Sequence, residues 1–147
     1  MDLIKRNTSD ICGEILDTCA VSNLRKLSRL TTNHFNEKIK HTGMKTTQFC
    51  VLFNIGRNPG KSLSYYAEEL GMDLSTLTRS LDNLSDSGLV DLQSGKRRER
   101  LAYLTELGEQ KVNDVYPYWL EAQTDFVNAF GQGEWQNFLN SMVDAAE

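Results

Sequence analysis

Leu63–Ser87 reads LSYYAEELGMDLSTLTRSLDNLSDS, two short helical patterns on either side of Leu70-Gly71-Met72-Asp73. In the first pattern Ala67 and Leu70 share a face. Gly71 supplies the residue that takes a left-handed backbone without steric cost, which ends a helix sharply. Asp73 stands where an N-cap belongs, its carboxylate able to accept from the free amides of the next turn. The second pattern spaces Leu74, Leu77, Leu81 and Leu84 by three, four and three, an apolar stripe for a core. With that stripe inward, Ser75, Arg79, Asp82 and Asp86 point outward, flanked by Thr76, Thr78 and Asn83. A helix, a glycine turn and a second helix opening Ser-Thr-x-Thr-Arg have the layout of a helix-turn-helix. Hydroxyls bond phosphates or base edges and an arginine fork suits phosphate or guanine, so Ser75, Thr76, Thr78 and Arg79 fit a DNA groove. Taken alone, the stretch fits a solvated helical hairpin equally well, since such hairpins occur on folds of every function.

The residues that follow tip the balance. Ser87-Gly88 closes the second helix, and Leu89-Val90-Asp91-Leu92-Gln93 alternates like a half-buried strand. Ser94-Gly95 signals a turn. Lys96-Arg97-Arg98-Glu99-Arg100 comes next, and Leu101-Ala102-Tyr103-Leu104 returns as a second strand, on whose alternation Arg98 and Arg100 fall to one face and Arg97 to the other. Charge at a hairpin tip can be no more than protection of a sheet edge. Four cations within five residues of a chain that is acidic elsewhere fit a phosphate-gripping wing better. Together these units spell a winged helix-turn-helix.

At this point the chain resembles the MarR-type transcriptional regulators, over most of its length. The resemblance rests on Gly43-Met44-Lys45-Thr46-Thr47-Gln48-Phe49, Ala67-Glu68-Glu69-Leu70-Gly71-Met72-Asp73, Ser75-Thr76-Leu77-Thr78-Arg79 and Gly88-Leu89-Val90. Arg98, ahead of Leu104-Thr105-x-x-Gly108, matches the family's wing-tip arginine. Lys96 stands where the family often has an aspartate, and the wing is slightly short. The resemblance implies an obligate homodimer, a pseudo-palindromic operator and, often, an effector that weakens DNA binding.

The length of 147 residues suits one domain with a real core. No apolar run approaches a membrane span and no signal peptide is evident, so the cytoplasm is expected. A net charge of −4 argues superficially against a DNA ligand, but the charge is unevenly spread. Residues 1–104 hold 15 basic and 12 acidic side chains, and residues 105–147 hold 1 and 8. A basic reading head with an acidic tail follows, and phosphate feels only charge within about 10 Å at moderate salt.

In chain order, residues 1 to about 10 are polar and loose. A helical pattern from Ile11 to Lys40 carries Ile15, Cys19, Leu24, Leu27, Leu30 and Phe35, with a break near Ser22-Asn23. Thr46 or Thr47 caps the next helix, whose core face is Phe49, Leu52, Phe53 and Ile55; Gly56–Gly60 stops it. Lys61-Ser62-Leu63 suits a short strand joining the wing. After the wing, Thr105 caps a long helix that Pro117 should kink or split. Gly131-Gln132-Gly133 breaks the chain, and a last helix from Glu134 to about Ala145 uses Trp135, Phe138, Leu139, Met142 and Val143. Ile15, Leu16, Tyr116, Trp119, Phe126, Phe138 and Leu139 exceed what one small core needs and suit a subunit interface. The alternative is that they pack within the chain, and the resemblance favours the dimer.

The architecture expected is therefore mainly α with a small β-hairpin wing: one MarR-like domain, residues 1–147. Its DNA-binding core spans about 46–104, and residues 11–41 and 105–147 form the helical dimerisation region. The function expected is a sequence-specific regulator of double-stranded DNA, acting as a repressor and released by a small-molecule or oxidant effector. Lys96, Arg97, Arg98 and Arg100 join the recognition-helix set as candidate DNA contacts. A winged helix that binds a partner protein instead is the competing reading. No nucleophile–base pair, phosphate loop or paired-carboxylate motif marks an enzyme, and no cofactor is implied. His34, Glu37 and His41 share a helix face, but with no further Cys/His cluster nearby no metal site is expected. Cys12, Cys19 and Cys50 do not make a disulfide framework. Cys12 and Cys19, about 10 Å apart along one helix, cannot bridge within a chain. Either could sense oxidants, although a cysteine on an apolar face is more often inert.

Overall fold

The computed structural model describes residues 7–146, with side chains through Met142. The polar start at 1–6 and the Val143 side chain lie outside the described residues. The chain divides into two compact units, one through His34 and one from Phe35.

In the first unit, α1 runs Thr8–Thr18, where Asn7 caps the helix by accepting from the Ser9 amide at 2.7 Å. The break expected at Ser22-Asn23 comes earlier, at Cys19, whose ψ of 112° is extended. Helix α2, Ala20–Ile39, starts directly after it. The Asn23 side-chain amide accompanies the offset: it donates to Asp17 O at 3.3 Å, in the last turn of the first helix, and to Cys19 O at 3.0 Å, which also accepts from the Asn23 backbone amide. Cys12 and Cys19 therefore do not share one helix face, since the second sits in the break. No residue of α1 is buried, and Ile11, Ile15, Leu16, Val21, Leu24 and Leu30 are all exposed, at 40–67%.

In the second unit the end of α2 contributes Phe35 and Ile39 to the core. Asn36 accepts from both the amide and the hydroxyl of Thr46, at 2.8 and 2.7 Å, which fixes the start of α3, Thr46–Arg57. Neither threonine caps that helix. Lys45 is the cap residue, and the Gln48 side chain returns to its amide at 2.9 Å. Of the expected core face, Phe49, Leu52 and Ile55 are buried and Phe53 is half-buried; Val51 is also fully buried. Strand β1 is only Lys61–Ser62, because Leu63 already opens α4, Leu63–Glu69. Helix α5, Leu74–Asp86, follows the Gly71 turn, where φ is +59°. Strands β2, Val90–Ser94, and β3, Arg100–Leu104, pair antiparallel with Val90 opposite Leu104 and Ser94 opposite Arg100. The sheet order is β1-β3-β2.

Tyr66 ties these pieces together from the centre of the core. Fully buried, it donates its hydroxyl to Asn58 O at 2.5 Å and accepts from the Lys61 amide at 3.2 Å. Burial raises its phenol above the ordinary value.

Helix α6, Glu106–Phe130, runs unbroken through Pro117, so of the expected kink or split the split does not occur. A proline removes one backbone bond, but the flanking turns remain paired and packing of Val115, Trp119 and Ala122 holds them. Gly131, with φ +98°, ends it, and α7 runs Gln132–Ala146, two residues earlier than the periodicity placed it. Phe126, Phe130, Trp135 and Phe138 stack at this corner with ring centroids 5.0–6.0 Å apart. The start of α6 is pinned to the exit of α5. Thr105 donates its hydroxyl to Gly88 O at 2.6 Å and its amide to Leu89 O at 3.1 Å. Gly108 lies so close that a Cβ there would stand 2.1 Å from Leu89 O.

Candidate nucleic-acid interface

Local sequence dictates how α5 is presented. Leu77, Leu81 and Leu84 are buried, which turns the opposite face to solvent. Ser75, Thr76 and Arg79 are exposed on it, and Thr78 is half-buried. Leu74 breaks the expected stripe: it is 49% exposed. It sits at the first turn, where the helix projects beyond the elements packed beneath it. Asp73 is the N-cap residue by backbone geometry, but its side chain makes no capping bond. Thr78 donates its hydroxyl to Leu74 O at 2.7 Å, so toward a ligand it can only accept.

The wing tip is not a continuation of its strands. Lys96–Arg98 form a single tight turn in which Arg97 and Arg98 both have positive φ, 56° and 66°. Strand alternation therefore does not decide which way Arg97 and Arg98 point, because the left-handed turn replaces the pleat there. The loop is closed by Gly95 N donating to Glu99 O at 2.7 Å and Glu99 N donating to Lys96 O at 3.2 Å. Non-glycine residues held left-handed cost free energy, and such strain gathers at functional sites. Lys96, Arg97, Arg98 and Arg100 are all exposed.

The two halves face each other across a cleft. Its lining takes Ser62, Leu63 and Ser64 from the start of α4, Leu74 and Thr78 from α5, and Arg97, Arg98, Glu99 and Arg100 from the wing, so one carboxylate stands among the three arginines. A second hollow beside it is lined by Leu74, Ser75, Thr78, Arg79 and Asp82. Of the predicted residues, the cleft brings Thr78 together with Arg97, Arg98 and Arg100, and the second hollow places Ser75 and Arg79 beside Thr78, while Thr76 and Lys96 line neither. Across the interface, Arg100 pairs with Asp82 at 2.7 Å. The apolar spacing alone concealed the roles of Ser64 and Leu74 in this lining, since nothing in it shows that a stripe ends one turn short.

The remaining candidate chemistry lies elsewhere. Glu37 pairs with Lys40 at 2.7 Å, and His41 meets the Tyr118 ring edge-on at 4.0 Å. Among the described residues, no group of three His, Cys, Asp or Glu side chains is placed to hold a metal ion. Cys12 is exposed and Cys19 half-buried, while burial pushes the Cys50 thiol up. No described helix is long and apolar enough to cross a membrane. A cavity of about 550 Å³ opens between α3 and α6, lined by Phe53, Gly56, Leu104, Glu109, Val112, Asn113, Tyr116 and Trp119.

Known proteins resemble this chain in sequence or in fold. The curated Bacillus subtilis protein YwoH, an uncharacterised HTH-type transcriptional regulator, is 25% identical over 122 residues, 80% of this chain and 87% of its own. The fold is that of the Mycobacterium tuberculosis transcriptional regulator MosR, with TM-score 0.79 and 24% identity over 89% of this chain and 97% of that one. It is likewise that of the repressor CouR bound to a 23-mer DNA duplex, with TM-score 0.80 and 19% identity over 90% and 96%. CouR from Rhodococcus jostii RHA1 has also been solved with p-coumaroyl-CoA, matching at TM-score 0.72 and 20% identity over 89% and 91%. The model of the MarR family matches residues 42–100, a segment that begins before α3 and ends where the wing returns. That matched segment holds the helix-turn-helix and most of the wing, and the chain around it shares the fold of these solved regulators.

Proposed function

We propose that the protein is a sequence-specific transcriptional repressor that binds double-stranded DNA as a homodimer in the cytoplasm. In this reading residues 46–104 are the reading head and residues 11–41 and 105–147 the dimerisation region of one functional domain. The observation that carries it is the cleft in which Thr78 of α5, with Ser62 and Ser64 at the start of α4, faces the arginines of a strained wing tip. A recognition helix in the major groove would use Ser75, Thr76, Thr78 and Arg79 on base edges and phosphates. Lys96, Arg97 and Arg98 would follow the backbone or enter the minor groove, Arg98 being the insertion. The cavity between α3 and α6 suits an effector with a planar apolar ring, set among Phe53, Tyr116 and Trp119. Cys12 and Cys19 are the thiols at which an oxidant effector would act.

The test is selection of bound fragments from genomic DNA, followed by binding to the selected duplex and to random duplex across a salt series. A shared near-palindromic element and a steep loss of affinity with salt are expected. Binding that is weak, indifferent to salt and free of any shared element overturns the reading in favour of a protein-binding winged helix.

A further inference from the structure

Arg79 and Asp82 lie three residues apart on α5 and line the same hollow. Side chains at that spacing are neighbours on a helix surface, and an aspartate beside an arginine draws its guanidinium sideways along the helix. No such pair forms. Among the described residues Arg79 makes no hydrogen bond or ion pair, while the Asp82 carboxylate accepts from Arg100 at 2.7 Å. Arg100 is well placed to win that contest, because its backbone is fixed at the first position of β3, opposite Ser94 in the ladder. It also stands next to the Gly95–Glu99 bond that closes the wing tip. The ion pair therefore joins the third turn of the recognition helix to the neck of the wing.

We propose that Arg100 and Asp82 form a latch that occupies the Asp82 carboxylate and so leaves Arg79 free to read DNA. Arg100 is then a positioning residue rather than a direct DNA contact. The proposal rests on the DNA-binding reading above. Both partners are half exposed, at 43% and 49%, and such pairs add little to folding. The latch acts on orientation. It also neutralises the carboxylate that lines this hollow, which would otherwise repel a phosphate.

A double-mutant cycle with two readouts tests it. The duplex is one selected by the parent protein from a random-sequence pool, and binding is measured at fixed salt. Arg100→Gln should weaken binding about tenfold, because the released Asp82 captures Arg79. Adding Asp82→Asn in that background should restore most of the loss, whereas Asp82→Asn in the parent changes affinity by a clearly smaller factor. An Asp82→Asn effect of the same size in both backgrounds overturns the latch and leaves Arg100 a simple phosphate contact. The second readout needs no DNA: the Arg79 Nε–H resonance in the full-length protein. It should shift and exchange more slowly in Arg100→Gln and return in the double mutant. An unmoved resonance overturns the capture. A parent that selects no duplex sinks the DNA-binding reading, and the resonance then decides the latch by itself.

Discussion

Arg79 lies within the first two turns of α5, exposed and unpaired among the described residues, so the DNA reading stands or falls there first. Arg79→Ala should cost about 1–3 kcal/mol of specific binding with an unchanged melting curve. Equal operator affinity in titrations of parent and mutant would show that the helix faces another way. Tyr66 is the opposite kind of residue, one that matters only to the fold. Its phenol ionises near 10.0 in water, and burial raises it in the native state. The fold therefore holds a proton that the unfolded chain releases first. The stability contributed is fully present below about pH 10 and is lost as pH rises from there towards the native value. Urea midpoints should fall across that alkaline window for the parent and much less for Tyr66→Phe. At neutral pH the mutant should be weaker by about 1–3 kcal/mol, since Asn58 O and the Lys61 amide lose their partner. Arg79 was legible in the sequence because a polar residue opposite a leucine stripe can only face outward. Tyr66 was not, because a buried tyrosine announces itself through partners outside its own helix, here the Asn58–Lys61 loop and Ala102 O at 3.3 Å on β3.

The wing shows what an element adds to its residues. Two consecutive left-handed arginines cost about 1–2 kcal/mol each relative to relaxed backbone. A tip that existed only for solubility would have replaced them with glycine. The double mutant Arg97→Ala/Arg98→Ala should bind all DNA more weakly and flatten log K against log salt by about one unit per lost phosphate contact, with little change in thermal stability. Arg97→Gly/Arg98→Gly should lose the same affinity while melting higher, because glycine accepts the turn without strain. Parallel salt lines of equal height for parent and mutants would make the wing a solvated loop. Alternating residues 89–93 and 101–104 made both strands readable. The turn between them was not, because Lys96-Arg97-Arg98 carries none of the residue types that favour a left-handed backbone. Helix boundaries failed for related reasons: Asn23 and Asn36 act on backbone six and ten residues away, beyond any cap pattern.

At the scale of the molecule, the exposed apolar side chains of α1 and α2, with Tyr116 and Leu120 of α6 and Met142 of α7, need cover that the described residues do not supply. Sedimentation velocity at micromolar protein should show a dimer. The selected site should show two half-sites about one helical turn apart, roughly 34–36 Å. A monomer that binds DNA as a monomer would remove the two-fold model. Composition made this level partly legible, since the surplus of large apolar residues at both ends exceeded one small core. The joint between α5 and α6 was invisible in sequence, because Gly108 looks like any helical glycine until the Leu89 carbonyl is seen 2.1 Å from its absent Cβ. That joint has a mechanical meaning. With Gly108 against the Leu89 backbone and Thr105 bonded to both Gly88 and Leu89, little slack is left between the start of α6 and the segment that leaves α5. A tilt at the start of α6 should therefore be felt at the exit of α5. A lever with little play transmits small displacements, so a shift too slight to disturb the core could still lift a recognition helix out of register.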